Sequence, residues 1–323
     1  MLNSKDRLRL SRLLSQLERL RPDEPAPQFD GGRVGAAMRL GITGPLGAGK
    51  SSLIDQIIRR YRKQGLSVGV IAVDPSSPFT GGALLGDRVR MNEFTSDDGV
   101  FIRSLATRGM SGGLAATAID AADIIDQAGF ERIIIETVGV GQVEVDIAGA
   151  CDIIALVLEP ASGDIIQTMK AGLMEIADIF VVNKKDLSGA DRFISELEMM
   201  LEMKHGILTA KADEIAHHRN LSSLSSKRNI PNVVATNARS GEGIDELCAK
   251  IEEWLKAARE SGALTQRRLQ QRGERIRKAA EEMLLKRFRR DLPAVEIERL
   301  AADSMPVREA ARELVDRITN NKN

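Results

Sequence analysis

The chain has 323 residues, 43% of them hydrophobic, and its 46 Lys+Arg balance 46 Asp+Glu to a formal net charge of zero. That is enough to bury a sizeable core, as one large domain with appendages or two domains at roughly 100–200 residues each. The missing global positive field argues against nucleic acid or an anionic membrane as partner.

The opening MLNSKDRLRLSRLLSQLERL places Leu8, Leu10, Leu13, Leu14, Leu17 and Leu20 near helical spacing. Its charges run throughout, unlike the apolar region of a signal peptide, and no window approaches about 18 uncharged apolar residues. The helix is expected to end before Arg21-Pro22, and RPDEPAPQFDGG reads as a linker, giving an N-terminal extension over 1–35. From 36 to 260 short apolar runs at 38–43, 68–73, 100–105, 132–136, 153–158, 178–183 and 232–236 alternate with amphipathic stretches. This predicts an α/β domain whose mostly parallel sheet is covered by helices on both faces.

Cys151 and Cys248 lie far apart, in what read as a buried strand and a helix. Neither a disulfide framework nor metal-ligand spacing results, and a cytoplasmic setting is expected. After Trp254 the chain becomes strongly charged, and 261–323 reads as a helical arm with Leu269, Ile276, Ala280, Leu284 and Phe288 on one stripe. Pro293 breaks this arm, and a last amphipathic helix near 306–318 closes the chain. The stripe suits the chain's own domain, a partner or a second copy.

The stretch GPLGAGKS at 44–51 follows the first apolar run and fits the phosphate-binding pattern G-x-x-x-x-G-K-[ST]. Gly44, Gly47 and Gly49 let the backbone turn its N–H groups, with those of Ala48 and Ser52 nearby, toward phosphate oxygens at a helix N-terminus. Lys50 is placed for the β- and γ-phosphates and Ser51 for Mg²⁺. Asp74, Asp87 and Glu136 are the further magnesium candidates. Asp74 and Glu136 end apolar strands, where the crevice of a parallel sheet lies. Gly139, in TVGVGQ, can turn its N–H toward a γ-phosphate, and Gln142 is the nearest glutamine able to place a water.

The NKKD at 183–186 directly follows Ile179-Phe180-Val181-Val182. Asp186 is placed to accept from guanine N1 and its exocyclic amine, a donor pair adenine lacks. Asn183 braces the loop and Lys184 lies along the base. Downstream, TNARSGEGIDEL brings Asn237, Ala238 and Arg239 to the guanine oxygen through backbone N–H groups. Asn237 stands where GTPases carry a serine, which removes the serine's internal side-chain bond from that loop.

Together VDPSSPFTGGALLGDRVRM, FIRSLATRGMSGGL, ETVGVGQVEVDIA and EIADIFVVNKKD resemble the MeaB/ArgK-type GTPases, the G-protein chaperones of adenosylcobalamin-dependent acyl-CoA mutases. The resemblance spans nearly the whole chain. It implies a GTPase, slow alone and stimulated by its partner, that binds GTP, GDP and Mg²⁺ and dimerises through helical extensions. Its hydrolysis gates adenosylcobalamin loading and the release of spent cofactor in the mutase, and adenosylcobalamin concerns this chain only through that partner. A cobalamin adenosyltransferase is a further expected partner. The family's third switch corresponds to ASGDIIQTMKAG, keeping Asp164, Gln167 and Lys170 but carrying Ile165 and Ala171 where relatives have an acidic residue and a second lysine. Lys170 is the implied activating cation, with Arg90 the second candidate; Lys50, Asp87 and Glu136 complete the catalytic set. Two other readings are a P-loop kinase for a small substrate and a metal-insertion GTPase, for which only His205, His217 and His218 are available as histidines.

Overall fold

The structure, a computed structural model, describes residues 2–20, 24–29, 35–74, 92–94, 96–106, 113–137, 149–160, 173–203, 232–290 and 294–320. The chain divides into two compact units, Met1–Leu20 with Ala26–Arg268, and Arg21–Pro25 with Leu269–Asn323.

The first unit is built on a seven-stranded sheet. Its strands are β1 (Met38–Thr43), β2 (Val68–Asp74), β3 (Val100–Ala106), β4 (Arg132–Thr137), β5 (Ile153–Leu158), β6 (Ile179–Val182) and β7 (Asn232–Ala235). They lie in the order β3-β2-β4-β1-β5-β6-β7, and every pairing is parallel. Each expected apolar run is a strand, and the uninterrupted hydrophobicity of IIALVL and IFVV is what a parallel strand buried on both faces requires.

Side-chain alternation sorts these strands into two layers of core. Met38, Leu40 and Ile42, with Ile153, Ala155 and Val157, meet Leu53, Ile54, Ile57 and Ile58 of helix α2 (Lys50–Lys63). Ile244, Leu247 and Ile251 of Ile244–Glu260 complete that layer. On the opposite face Ile133, Ile135 and Ile154 meet helix Gly113–Gln127 through Ala118, Ala121, Ala122 and Ile125. Further along this face Leu156, Leu158, Phe180 and Val182 cover Leu173 and Met174 of the short helix Leu173–Ile176, and Phe193, Leu197 and Leu201 of a helix over 190–203. Each such aliphatic burial stabilises the fold by about 1.5–3 kcal/mol.

Helix α1 (Ser4–Leu17) belongs to the same core, because Leu10, Leu14 and Leu17 bury among the residues of Gly113–Gln127. Asn3 caps it by accepting from Asp6 N at 2.9 Å, and the helix ends before Arg21-Pro22 as expected. Cys151 is buried just ahead of β5 rather than within it, tight against Gly41, where an added Cβ would come within 2.9 Å of its sulfur. Burial pushes both thiols up to about 12, so neither is a nucleophile near neutral pH.

The N-terminal edge of the sheet carries a set of buried charges. Arg268, in the first turns of helix Ala263–Arg290, donates to both Asp152 oxygens at 2.7 and 2.6 Å and to the Ala37 carbonyl at 2.9 Å. Arg39 N donates to the same Asp152 at 2.9 Å, and Arg39 pairs through its guanidinium with Asp123 at 2.6 Å and Asp126 at 3.2 Å. Arg267 pairs with Asp178 at 2.9 Å and lies 5.5 Å over the Trp254 ring.

In the second unit, helices Ala294–Ala302 and Val307–Asn320 are tied together by Arg299, which bonds Glu296 at 2.8 Å and Glu313 at 2.7 Å, and by Arg317 on Glu296 at 2.7 Å. The first of these helices has no counterpart in the sequence expectation. Leu269, Ile276 and Leu284 of the expected stripe are exposed. Among the described residues no helix is long and apolar enough to cross a membrane.

Candidate functional site

Parallel pairing delivers the ends of β1, β4, β5, β6 and β7 to one edge of the sheet, and the motif residues collect there. Gly44 leaves β1 at φ 144°, and a Cβ there would come 2.0 Å from the Val157 carbonyl oxygen of the neighbouring strand, so the turn admits only glycine. Gly49, at φ 85°, is the N-cap of α2 and has no side chain with which to cap it. The first turn of α2 therefore has no side-chain cap, and its dipole end favours an anion.

Lys50 is buried and its ammonium donates to the Gly44 and Pro45 carbonyls at 2.8 and 3.0 Å, closing the loop on itself. A phosphate would replace those neutral acceptors with charged ones, which bind an ammonium roughly twice as strongly. Ser51 Oγ donates to Glu136 Oε1 at 2.8 Å, placing a hydroxyl and a carboxylate oxygen side by side, a pair of hard donors suited to Mg²⁺. Next to it Thr137 Oγ1 donates to Thr43 Oγ1 at 3.0 Å, linking the ends of β4 and β1.

Asn183 joins the loop after β1 to the loop after β7. Its Nδ2 donates to the Ala48 carbonyl at 2.8 Å, while its Oδ1 accepts from Ala238 N at 3.0 Å and Thr236 Oγ1 at 3.2 Å. The closeness of Gly49 belongs to the same contact, since a Cβ there would approach Nδ2 to 2.4 Å. Lys184 turns at φ 58°, the one positive φ outside glycine among the described residues, and its ammonium pairs with Glu159. Asp186 stands exposed two residues on, open to a ligand.

The loop after β7 holds its shape without the expected serine. Asn237 Oδ1 accepts from Arg239 N at 3.0 Å and Ser240 N at 3.3 Å, so an Asx turn supplies the internal bond that the substitution was expected to remove. Gln56 of α2 donates to the Ala238 carbonyl at 3.1 Å, and Lys185 pairs with Glu242 at 2.6 Å. Thr236, Gln56 and Glu159 were not singled out from the sequence. Glu159 carried a usable signal, because it directly follows an apolar run of the sequence, much as Glu136 closes RIIIE.

The structure thus brings together Gly44, Gly47, Ala48, Gly49, Lys50, Ser51, Ser52, Glu136, Asn183, Lys184, Asp186, Asn237, Ala238 and Arg239 at one edge. Asp74 ends β2 at that same edge. Asp87, Arg90, Gly139, Gln142, Asp164, Ile165, Gln167, Lys170, Ala171, His205, His217 and His218 lie outside the described residues. Among the described residues no group of three or more His, Cys, Asp or Glu could hold a metal ion.

Residues 30–292 match a family model described as methylmalonyl Co-A mutase-associated GTPase MeaB. A protein of Pyrococcus horikoshii, named as a GTPase, is 50% identical over 235 residues, 73% of this chain and 69% of its own length. GTPase ArgK of Escherichia coli is 38% identical over 251 residues, 78% of this chain and 71% of its own. The mouse mitochondrial methylmalonic aciduria type A homolog is 34% identical over 279 residues, covering 84% of this chain and 63% of the mouse protein. Among solved structures, one titled as a LAO/AO transport system kinase superposes with a TM-score of 0.62 at 26% identity, covering 99% of both chains.

Proposed function

The chain belongs to the family of methylmalonyl-CoA mutase-associated GTPases, and from that premise we propose that it is a GTP-hydrolysing chaperone that gates adenosylcobalamin loading and the release of damaged cofactor in a B12-dependent acyl-CoA mutase. The observation that carries this reading is the Asn183 bridge, because it makes phosphate grip and base grip one rigid unit. A nucleotide held at both ends reports the loss of its γ-phosphate as a change in contacts rather than as slack.

In this reading the first-turn N–H groups of α2 and Lys50 hold the phosphates, Ser51 and Glu136 hold Mg²⁺, and Asp186 reads guanine with Lys184 along the base. Asp74 and Asp87 are proposed to complete the magnesium shell. Mg²⁺, when bound, supplies charge neutralisation for phosphoryl transfer. Asn183 keeps Ala48 and Ala238 in register, and the buried walls of β1 and β5 exclude water from the inner side of the loop.

Lys170, with Arg90 as second candidate, is proposed as the cation that partner docking brings to the transferring phosphate, and Asp164, Gln167, Gln142 and Gly139 as switch residues. The exposed stripe of the arm is proposed to pair with a second copy, and the cytoplasm is the proposed setting. Transfer of adenosylcobalamin to an apo-mutase, followed by its visible absorbance, tests the reading. GTP should change the transfer rate and a non-hydrolysable analogue should abolish that effect; equal rates with GTP, with the analogue and without nucleotide would exclude a gating role.

A further inference from the structure

The guanine-nucleotide reading leaves Glu159 unassigned. We propose that Glu159 is a positioning residue: its carboxylate holds the Lys184 ammonium across the base cleft before nucleotide arrives, so that the ordering of this lysine is complete in the empty protein. The inference rests on the function proposed above for the same site.

The placement follows from strand register. Leu158 is the partner of Val182 across the β5–β6 pair, and Asn183 N donates to the Leu158 carbonyl at 2.8 Å. The residue that follows β5 therefore lies beside the turn that follows β6. Glu159 occupies the first place and Lys184 the second, and their charged ends meet. The carboxylate is the fixed member, since its side chain is 13% exposed against 39% for the lysine. Glu159 also borders the phosphate loop, its Oε1 lying 3.6 Å from where a Cβ on Gly47 would stand.

The backbone points the same way. Lys184 is held at φ 58°, a conformation that costs an L-residue about 1–2 kcal/mol and persists only when its surroundings over-determine it. Lys185 N on the Thr236 carbonyl at 3.0 Å and Leu187 N on the Lys184 carbonyl at 3.0 Å fix the chain after it, and the Glu159 pair fixes the side chain. A free lysine would lose its rotamer freedom on lying along a base, and that loss weakens binding. Here the carboxylate has already taken it.

The test is a double-mutant cycle on nucleotide affinity. GDP and GTP are titrated into the wild-type chain, Glu159→Gln, Lys184→Gln and the double variant. Glu159→Gln is expected to weaken GDP and GTP alike by about three- to tenfold, and to change nothing further when Lys184 is already glutamine. A half-exposed ion pair adds little to stability, so the melting temperature without nucleotide should stay near that of the wild type. Unchanged affinity in Glu159→Gln would overturn the proposal, as would a loss of the same size in the Lys184→Gln background. An effect that differs between GDP and GTP would also overturn it, because the carboxylate would then be acting on the phosphates. If the wild-type chain binds neither nucleotide, the reading of the site itself fails; if it binds both and the variant matches it, only the role of Glu159 fails.

Discussion

The side-chain amide of Asn183 donates to the Ala48 carbonyl at 2.8 Å and accepts from Ala238 N at 3.0 Å, so a single residue at the end of β6 spans the phosphate loop and the loop after β7. Both neighbouring groups are buried, as is Asn183. Asn183→Ala leaves a buried carbonyl and a buried N–H without their partner, and each such loss costs about 1–3 kcal/mol. The expected result is a drop in stability of about 2–4 kcal/mol and a fall in GDP affinity of roughly tenfold or more. Asn183→Asp keeps the acceptor but faces the Ala48 carbonyl with a second oxygen, and should be the weaker binder of the two. Thermal denaturation and nucleotide titration read both effects.

Asp186 is the proposed reader of guanine. Asp186→Asn exchanges one acceptor for a donor, which suits the 2-oxo group of xanthine and opposes the 2-amino group of guanine. Preference between GTP and xanthosine triphosphate should reverse, each change of hydrogen-bond sense shifting affinity by roughly 10- to 100-fold. Competition between the two nucleotides measures it, and retained GTP selectivity would remove Asp186 from the base site.

Arg268 is bound twice to Asp152, whose side chain is 2% exposed. Arg268→Ala leaves that carboxylate buried with Arg39 N as a remaining donor, and breaking such a pair costs about 3–5 kcal/mol. Arg268→Lys should recover only part of this, because an ammonium cannot repeat the two-pronged geometry. The urea midpoint of the two variants against the wild type is the readout.

Asp55 of α2 is pushed up to about 6, first by burial, with Glu93 adding to the shift and Arg59 opposing it. Its Oδ1 is buried and, among the described residues, has no hydrogen-bond partner. The folded state holds this proton more tightly than the unfolded chain does, so the contribution to stability is fully present below about pH 4 and is lost as pH rises through about 6. The residue is only partly buried, and after allowance for solvent screening the penalty at pH 8 is about 1 kcal/mol. Asp55→Asn should therefore be more stable than the wild type by about that amount at pH 8 and indistinguishable from it near pH 4. Denaturation at the two values checks the sign.

Much of this architecture can be read before any coordinates. VGVIAVD, RIIIE and CDIIALVLEP announce strands buried on both faces by their unbroken apolar character, and GPLGAGKS is set apart by its spacing, while NKKD, a common charged loop by itself, points to guanine only in company with that upstream loop. What remains hidden depends on which strands are neighbours. Glu159 and Lys184 are 25 residues apart, and only the pairing of β5 with β6 sets them side by side. The joining of α1 to the main core is hidden for the same reason, since its leucines alone do not say what they pack against. Asn237 taught the opposite lesson: a residue that departs from the usual pattern rebuilt the turn by other atoms. Helix Ala294–Ala302 escaped notice because nine residues carry too short a periodicity to stand out.

Steady-state hydrolysis of GTP and of ATP, with and without purified adenosylcobalamin-dependent acyl-CoA mutases, addresses the account most directly. The expected result is slow GTP turnover that exceeds ATP turnover and rises several-fold with one mutase, the rise being lost in Lys170→Ala. Undiminished use of ATP, together with no stimulation by any such mutase, would contradict it.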